Sequence, residues 1–387
     1  MRLDPLPQSV YAGRIKRMQE KLQEEGIDLF VGYSSECESA TSRYLTGFWP
    51  FFDFCAVIVP ASGNAALVTG GPESYEFAKS FAHSVDIYIN PLLVETSAPD
   101  WVTDAPGEDF SQILKKMGQK PGRVGLGNQN IFPSNLLEDL KKACPNTEMV
   151  SGDNLLLDIQ AIKQDEEIPY IIEAYRITEK SLMTALEEAR PGKREWELEA
   201  KARSEMVLMG AEGTPYPPWV CSGPNTRLSL CRSTDRPIGQ DELVQLTIGS
   251  KYMGFCGNMC RPFAIGKFPA KAKKLAEVAL EAMDYVLDTI RPGIDSWKLF
   301  EGYYNILSKY GYQDYTLYGP AHGTGSSEVE GLWLSKESDF TIMPNMLFNI
   351  DIWLSDNEHG LRFEDGILIT GDGVKELTSY RREVIEI

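Results

Sequence analysis

The sequence predicts an α/β chain of two domains, the second built on an internal repeat, and three observations carry that expectation. Strand and helix patterns alternate through about the first 150 residues, the texture changes near residue 160, and a helix–turn–helix segment recurs 101 positions later. The 387 residues leave room for two ordinary cores.

Residues 9–25 place Val10, Ile15, Met18 and Leu22 at helical spacing, and Gly26 ends that helix. The runs DLFVGY, FCAVIVP, AALVTG, VDIYIN and RVGLG read as strands, with helices near 72–82, 109–118 and 133–142 between them. Such alternation indicates an α/β domain over 1–157. The segment IKQDEEIPYIIEAYRITEKSLMTALEEA then reads as a long amphipathic helix opening a second domain, 158–387, and it ends at Arg190-Pro191-Gly192. ARPGKREWELEAKARSEMVLMG (189–210) recurs as IRPGIDSWKLFEGYYNILSKYG (290–311), with the RPG turn, Trp196/Trp297, Leu198/Leu299 and Gly210/Gly311 matched. Two α-α-β halves of this kind predict a pseudo-twofold domain that closes one sheet between helix pairs.

Composition narrows the function classes. A net charge of −18 argues against nucleic acid, which needs clustered Lys and Arg. No stretch approaches 18 uninterrupted apolar residues, and the N-terminal MRLDPLPQSVYAGRIKRMQEKL carries no apolar core of a secretory signal, so a cytoplasmic protein without a membrane partner is expected. Seven cysteines without a CxxC pair read as reduced thiols.

The repeat, the IKQDEEIPYIIEAYRIT segment, YLTGF (44–48) and four later motifs together make the chain resemble the creatinase/prolidase/methionine-aminopeptidase family. That resemblance implies a creatinase-type N-terminal α/β domain followed by a pita-bread α+β domain. It also implies five metal ligands at positions where this chain can be checked. ELVQLTIGSKYMGF puts Thr247 at the first aspartate, and GFCGNMCR puts Asn258 at the second with Arg261 retained. AHGTG keeps His322, MLFNIDIW puts Asp351 at the first glutamate, and LRFEDGILIT keeps Glu364. Two neutral residues replace two carboxylates, so no metal pair and no cofactor are expected, with a single weakly held ion on His322, Asp351 and Glu364 as the alternative.

The resemblance then points towards the family's metal-free creatinase-like members, but the 222–236 loop holds no histidine where creatinase carries its catalytic one. Creatine itself is therefore not assigned. The reading is a metal-independent hydrolase of a C–N bond in a small nitrogen-rich molecule, resembling creatinase or ectoine hydrolase, with a cationic or zwitterionic substrate. The alternatives are an Xaa-Pro dipeptidase-type metallopeptidase with a degraded metal site, a ligand-binding protein without catalysis, and a lyase acting on a betaine-like zwitterion.

Catalysis is expected from His322, whose imidazole transfers protons near neutrality, with Glu364 and Asp351 as facing carboxylates that favour a cationic ligand. Substrate contacts are expected from Asn258, Thr247, Glu330, Cys260, Arg261, His359, Trp353 and Phe52. Cys256, Asn258 and Cys260 alternate and so share one strand face. The aromatic run FWPFFDF (48–54) resembles the part of creatinase-like homodimers that covers the partner's site, where Phe52 would close over a cation.

Overall fold

Side-chain alternation along two strands decides how the N-terminal part is layered. In the computed structural model, which describes residues 3–99 and 106–387, β1 (Leu29–Ser34) pairs antiparallel with β2 (Cys55–Pro60). Leu29, Val31, Ala56 and Ile58 face helices α4 (Phe110–Lys116) and α5 (Ser134–Ala143). Phe30, Val57 and Val59 face α1 (Gln8–Glu24), α2 (Ala40–Thr46) and α6 (Asp153–Ala161). Successive side chains on a strand point to opposite faces, so an almost wholly apolar strand must be covered on both sides. The rest of the sheet is β3 (Ala66–Thr69), β4 (Asp86–Ile89), β5 (Arg123–Gly127) and β6 (Glu148–Ser151), in the order β4-β3-β2-β1-β5-β6, with α3 (Pro72–Phe81) before β4.

This unit spans residues 5–160, and residues 161–387 form a second, joined by Leu3 and Asp4. The second unit opens with α7 (Ile168–Glu187) and α8 (Glu195–Leu208). The predicted helix from residue 162 begins later than expected, at Ile168. Pro169 sits in its first turn, where the missing N–H costs nothing. β7 (Trp219–Ser222), β8 (Glu242–Tyr252) and β9 (Phe255–Ile265) follow. Then come α9 (Ala270–Thr289), α10 (Ser296–Tyr310), β10 (Ala321–Gly323), β11 (Leu347–Ser355) and β12 (Gly360–Ile369). The sheet runs β10-β11-β12-β9-β8-β7, with β13 (Val374–Glu376) on β12 and β14 (Ile385–Glu386) on β9. This is the pita-bread architecture.

The two repeat copies are the same structural unit. Gly192 and Gly293 both take φ near +88° (88° and 87°), a backbone that L side chains adopt only under strain. Their N–H groups donate to Ile238 and Ile342 at 2.8 and 2.9 Å, and the bridges Arg194–Pro237 and Asp295–Thr341 repeat the pattern. Across β11 and β12, Ile350, Ile352, Leu361 and Phe363 join the core formed with α9 and α10. Asn349, Asp351, Trp353, Arg362 and Glu364 alternate with them and project to the other face. Among the described residues, no helix is long and apolar enough to cross a membrane.

Candidate active site

A single line of side chains crosses five strands of the second unit. Trp219 of β7 pairs with Thr247 of β8, Thr247 with Cys260 of β9, Cys260 with Glu364 of β12, and Glu364 with Asp351 of β11. Residues opposite one another on adjacent strands share a face with Cβ atoms about 5 Å apart. Thr247, Cys260, Glu364 and Asp351, which the motifs singled out separately, are therefore neighbours. Asn258 lies two residues from Cys260 on the same face, and His322 pairs with Asn349 beside Asp351. All of these side chains are buried.

Burial raises the Glu364 carboxyl well above the usual carboxylate range, and the Asp351 carboxylate adds to the rise. Glu364 Oε1 accepts from Asn349 Nδ2 at 2.8 Å. Its Oε2 has no hydrogen-bond partner among the described residues. Asn349 is fixed in turn by the Tyr175 hydroxyl, which donates to its Oδ1. Arg362, opposite Trp353, sits 3.3 Å from Asp351 Oδ1 through Nε. Its guanidinium lies 5.8 Å from the ring centroids of both Tyr318 and Trp353. Burial opposes its charge most strongly, but Asp351, Tyr318 and Glu364 together outweigh that and hold the guanidinium protonated. The His322 ring contacts Trp333 at 5.1 Å between centroids. Its Nε2 faces Glu328 Oε1 at 3.8 Å.

Other predicted positions lie differently. Arg261 and Asp365 each follow a site residue by one position and so face the opposite side of the sheet. There Arg261 Nη2 donates to Asp365 Oδ1 and Oδ2 at 2.8 and 2.9 Å, so Arg261 braces β9 against β12 instead of meeting substrate. Glu330 is spent on Lys163 and on the Ser326 amide and hydroxyl. His359 sits in the β11–β12 turn within 3.9 Å of Asp356. Five strand steps of about 3.3 Å each separate it from Glu364. Phe52 belongs to the N-terminal unit, exposed at φ +62° beside a hollow lined by Phe51, Asp53, Glu73 and Phe77. Cys260 bonds Thr247 Oγ1 at 3.1 Å, and burial pushes its thiol well up, the reverse of an activated nucleophile.

Three contributors escaped the sequence reading. Glu328 is separated from the favoured Glu330 by one residue, in the irregular stretch between β10 and β11. Asn349 and Arg362 are each two positions from a motif residue, a spacing that marks the same strand face. A fourth, the buried Glu195, shapes the 222–236 loop by accepting from the Ser222 and Thr234 amides at 2.7 and 2.9 Å. It starts α8 at the repeat position of Ser296, which is buried as well.

Cys231 of the same loop is the exception among the thiols. Its neighbour Cys221 lowers it to about 7, while burial pushes Cys55 and Cys256 up to about 12. The thiolate is the reactive form and accumulates above the pKa. Iodoacetamide is thus expected to modify Cys231 ahead of the buried cysteines, with a rate that climbs through pH 7. Peptide mass mapping across pH 5–9 checks this, and a rate flat over that range would refute the assignment.

A family model for metallopeptidase family M24 matches residues 170–371, just over half of the chain. The chain belongs to metallopeptidase family M24. A creatinase/prolidase N-terminal domain matches residues 14–162 of this M24 protein. It is 28% identical to an Xaa-Pro dipeptidase from Pyrococcus horikoshii over 85% of this chain and 94% of that one. A Pyrococcus furiosus Xaa-Pro dipeptidase is 29% identical over 67% and 75%. The solved prolidase of Pyrococcus horikoshii superposes with a TM-score of 0.82 at 25% identity, covering 96% of this chain and all of that one.

These relatives correct the expected function. A metal-independent C–N hydrolase resembling creatinase or ectoine hydrolase gives way to the dipeptidase alternative, since the similar proteins are Xaa-Pro dipeptidases and prolidases. The expectation of an enzyme stands. A metallopeptidase family implies a divalent metal, and the donors test that. The two-ion set does not fit: Thr247 and Asn258 bring no charge, Thr247 is engaged with Cys260, and the Arg362 guanidinium already occupies Asp351. His322, Glu328 and Glu364 do offer three ligand atoms within 4.8 Å of one another.

Proposed function

We propose that this M24 chain is a peptidase of Xaa-Pro dipeptidase type that hydrolyses short zwitterionic peptides over the β7–β8–β9–β12–β11 row. The observation that carries the reading is the convergence of one ligand atom each from His322, Glu328 and Glu364, within 4.8 Å of one another, beside a buried, charged Arg362. The attacking water is held at the convergence point, beside any ion bound there, and the proton it loses is relayed to the departing proline nitrogen. Arg362 presents a fixed cation to the carbonyl or carboxylate oxygen of the peptide, an electrostatic contact strengthened by the low dielectric around it. Asn349 sets the Glu364 carboxylate so that Oε2, not Oε1, meets the substrate. The Asn258 Oδ1 atom, without a hydrogen-bond partner among the described residues, is open to a peptide N–H. Trp219 and Trp353 lie on the face of the row and Trp333 against His322, apolar surfaces that favour a compact residue such as proline.

A cytoplasmic location and a homodimer belong to the same reading. The exposed Phe51–Phe52 tip is the surface that would meet the partner.

Release of free proline from Gly-Pro, Ala-Pro and Leu-Pro, against Xaa-Ala dipeptides and creatine, tests the assignment. Prolyl dipeptides should be cleaved fastest. Binding of the panel without cleavage would leave a ligand-binding protein, and turnover of creatine alone would reject a peptidase.

A further inference from the structure

We propose that the chain binds one borderline divalent transition ion per chain, held by His322, Glu328 and Glu364, with the Arg362 guanidinium as the fixed cation in place of a second ion. This deepens the peptidase reading, on which it rests for what the ion does, but not for whether the ion binds.

Three observations converge. The first is Glu364, a member of the cluster only 1% exposed, whose Oε2 has no hydrogen-bond partner among the described residues. A buried carboxylate oxygen in that state costs free energy unless something positive meets it. Asn349 already satisfies Oε1, so the vacancy is directed.

The second is the tautomer of His322. Nδ1 lies 3.0 Å from the Gly323 carbonyl oxygen, which can only accept, so Nδ1 carries the hydrogen. Nε2 then faces Glu328 Oε1 at 3.8 Å. That spacing is too long for a hydrogen bond and leaves both atoms open to an ion between them. Nδ1 held by a backbone carbonyl is also the arrangement that orients a metal-ligating imidazole.

The third is charge. Bound to an ion, Glu364 and Glu328 bring two negative charges, which one divalent ion neutralises, while Arg362 answers Asp351. Asp365 does not enter this sum, because Arg261 and Arg382 pair with it on the other face of the sheet. One imidazole and two carboxylates suit zinc, cobalt or manganese better than calcium, which prefers an all-oxygen shell.

The full chain, stripped with a chelator and dialysed, is titrated with Co2+ and Zn2+ by calorimetry, with visible absorption and native mass spectrometry alongside. One ion per chain is expected, with cobalt bands marking a low-coordinate site. E328Q, in a part-exposed irregular stretch that tolerates the change, should weaken binding at least about tenfold. D351N should keep one ion, with the fold of each variant checked by circular dichroism. Two ions per chain, none, or an E328Q affinity equal to that of the unaltered chain would each overturn the assignment. Loss in D351N with none in E328Q would hand the third ligand to Asp351 and overturn it too. No turnover enters this assay. A chain that binds one ion yet cleaves no prolyl dipeptide defeats only the peptidase reading, and one that cleaves with two ions defeats only this one.

Discussion

His322→Ala is expected to lower kcat/KM for a prolyl dipeptide by at least about 10²-fold, or about 2.7 kcal/mol of transition-state stabilisation. The ring contributes one of three atoms that converge over the row, and alanine supplies nothing at that point. The loss should fall on kcat more than on KM, because the peptide's oxygen atoms are left to Arg362. His322 is buried against Trp333, so the variant also leaves a small cavity. A thermal melt beside the kinetics separates the two effects. Activity within threefold of the unaltered chain, with the melt unchanged, would remove His322 from the chemistry.

The second large effect is on stability. Asp365→Ala should destabilise the second unit by about 3–5 kcal/mol, since it strands Arg261 as an unpaired buried charge. Arg261 is fully buried and also donates to the Arg381 and Tyr380 carbonyls at 3.0 and 2.8 Å. Asp365 further accepts from the Thr378 hydroxyl and pairs with Arg382 at 3.2 Å. Removing both charges together, as in R261L/D365L, should recover much of the loss, because a buried pair replaced by apolar side chains of similar volume is often neutral. Urea unfolding followed by tryptophan fluorescence reads the comparison. A cost below about 1 kcal/mol for the single variant would contradict the bracing role.

Much of this site was legible because strand periodicity and motif order coincide. Thr247, Asn258, Asp351 and Glu364 sit on strands whose alternation fixes their face, and only the register between strands was missing. Register depends on long-range pairing, and no local pattern announced that Cys260 would stand opposite both Thr247 and Glu364. Arg261 shows the cost of reading a motif without its face: one position along the strand turns a substrate contact into a brace. Glu328 was passed over because an irregular stretch has no period to assign its direction, and the choice fell on Glu330, which Lys163 consumes. The function was misread for a related reason. Two lost carboxylates were counted as a lost metal, while Glu328, which supplies a third donor atom, went uncounted.

The cross-strand row has an implication for how activity disappears. Side-chain direction has a period of two, so a slip of one residue between β9 and β12 would turn Glu364 away while Cys260 stayed in place. No partial version of the site survives such a slip. Catalytic competence should therefore behave as a digital property of sheet assembly, vanishing together with the last strand pairings and not fading ahead of them.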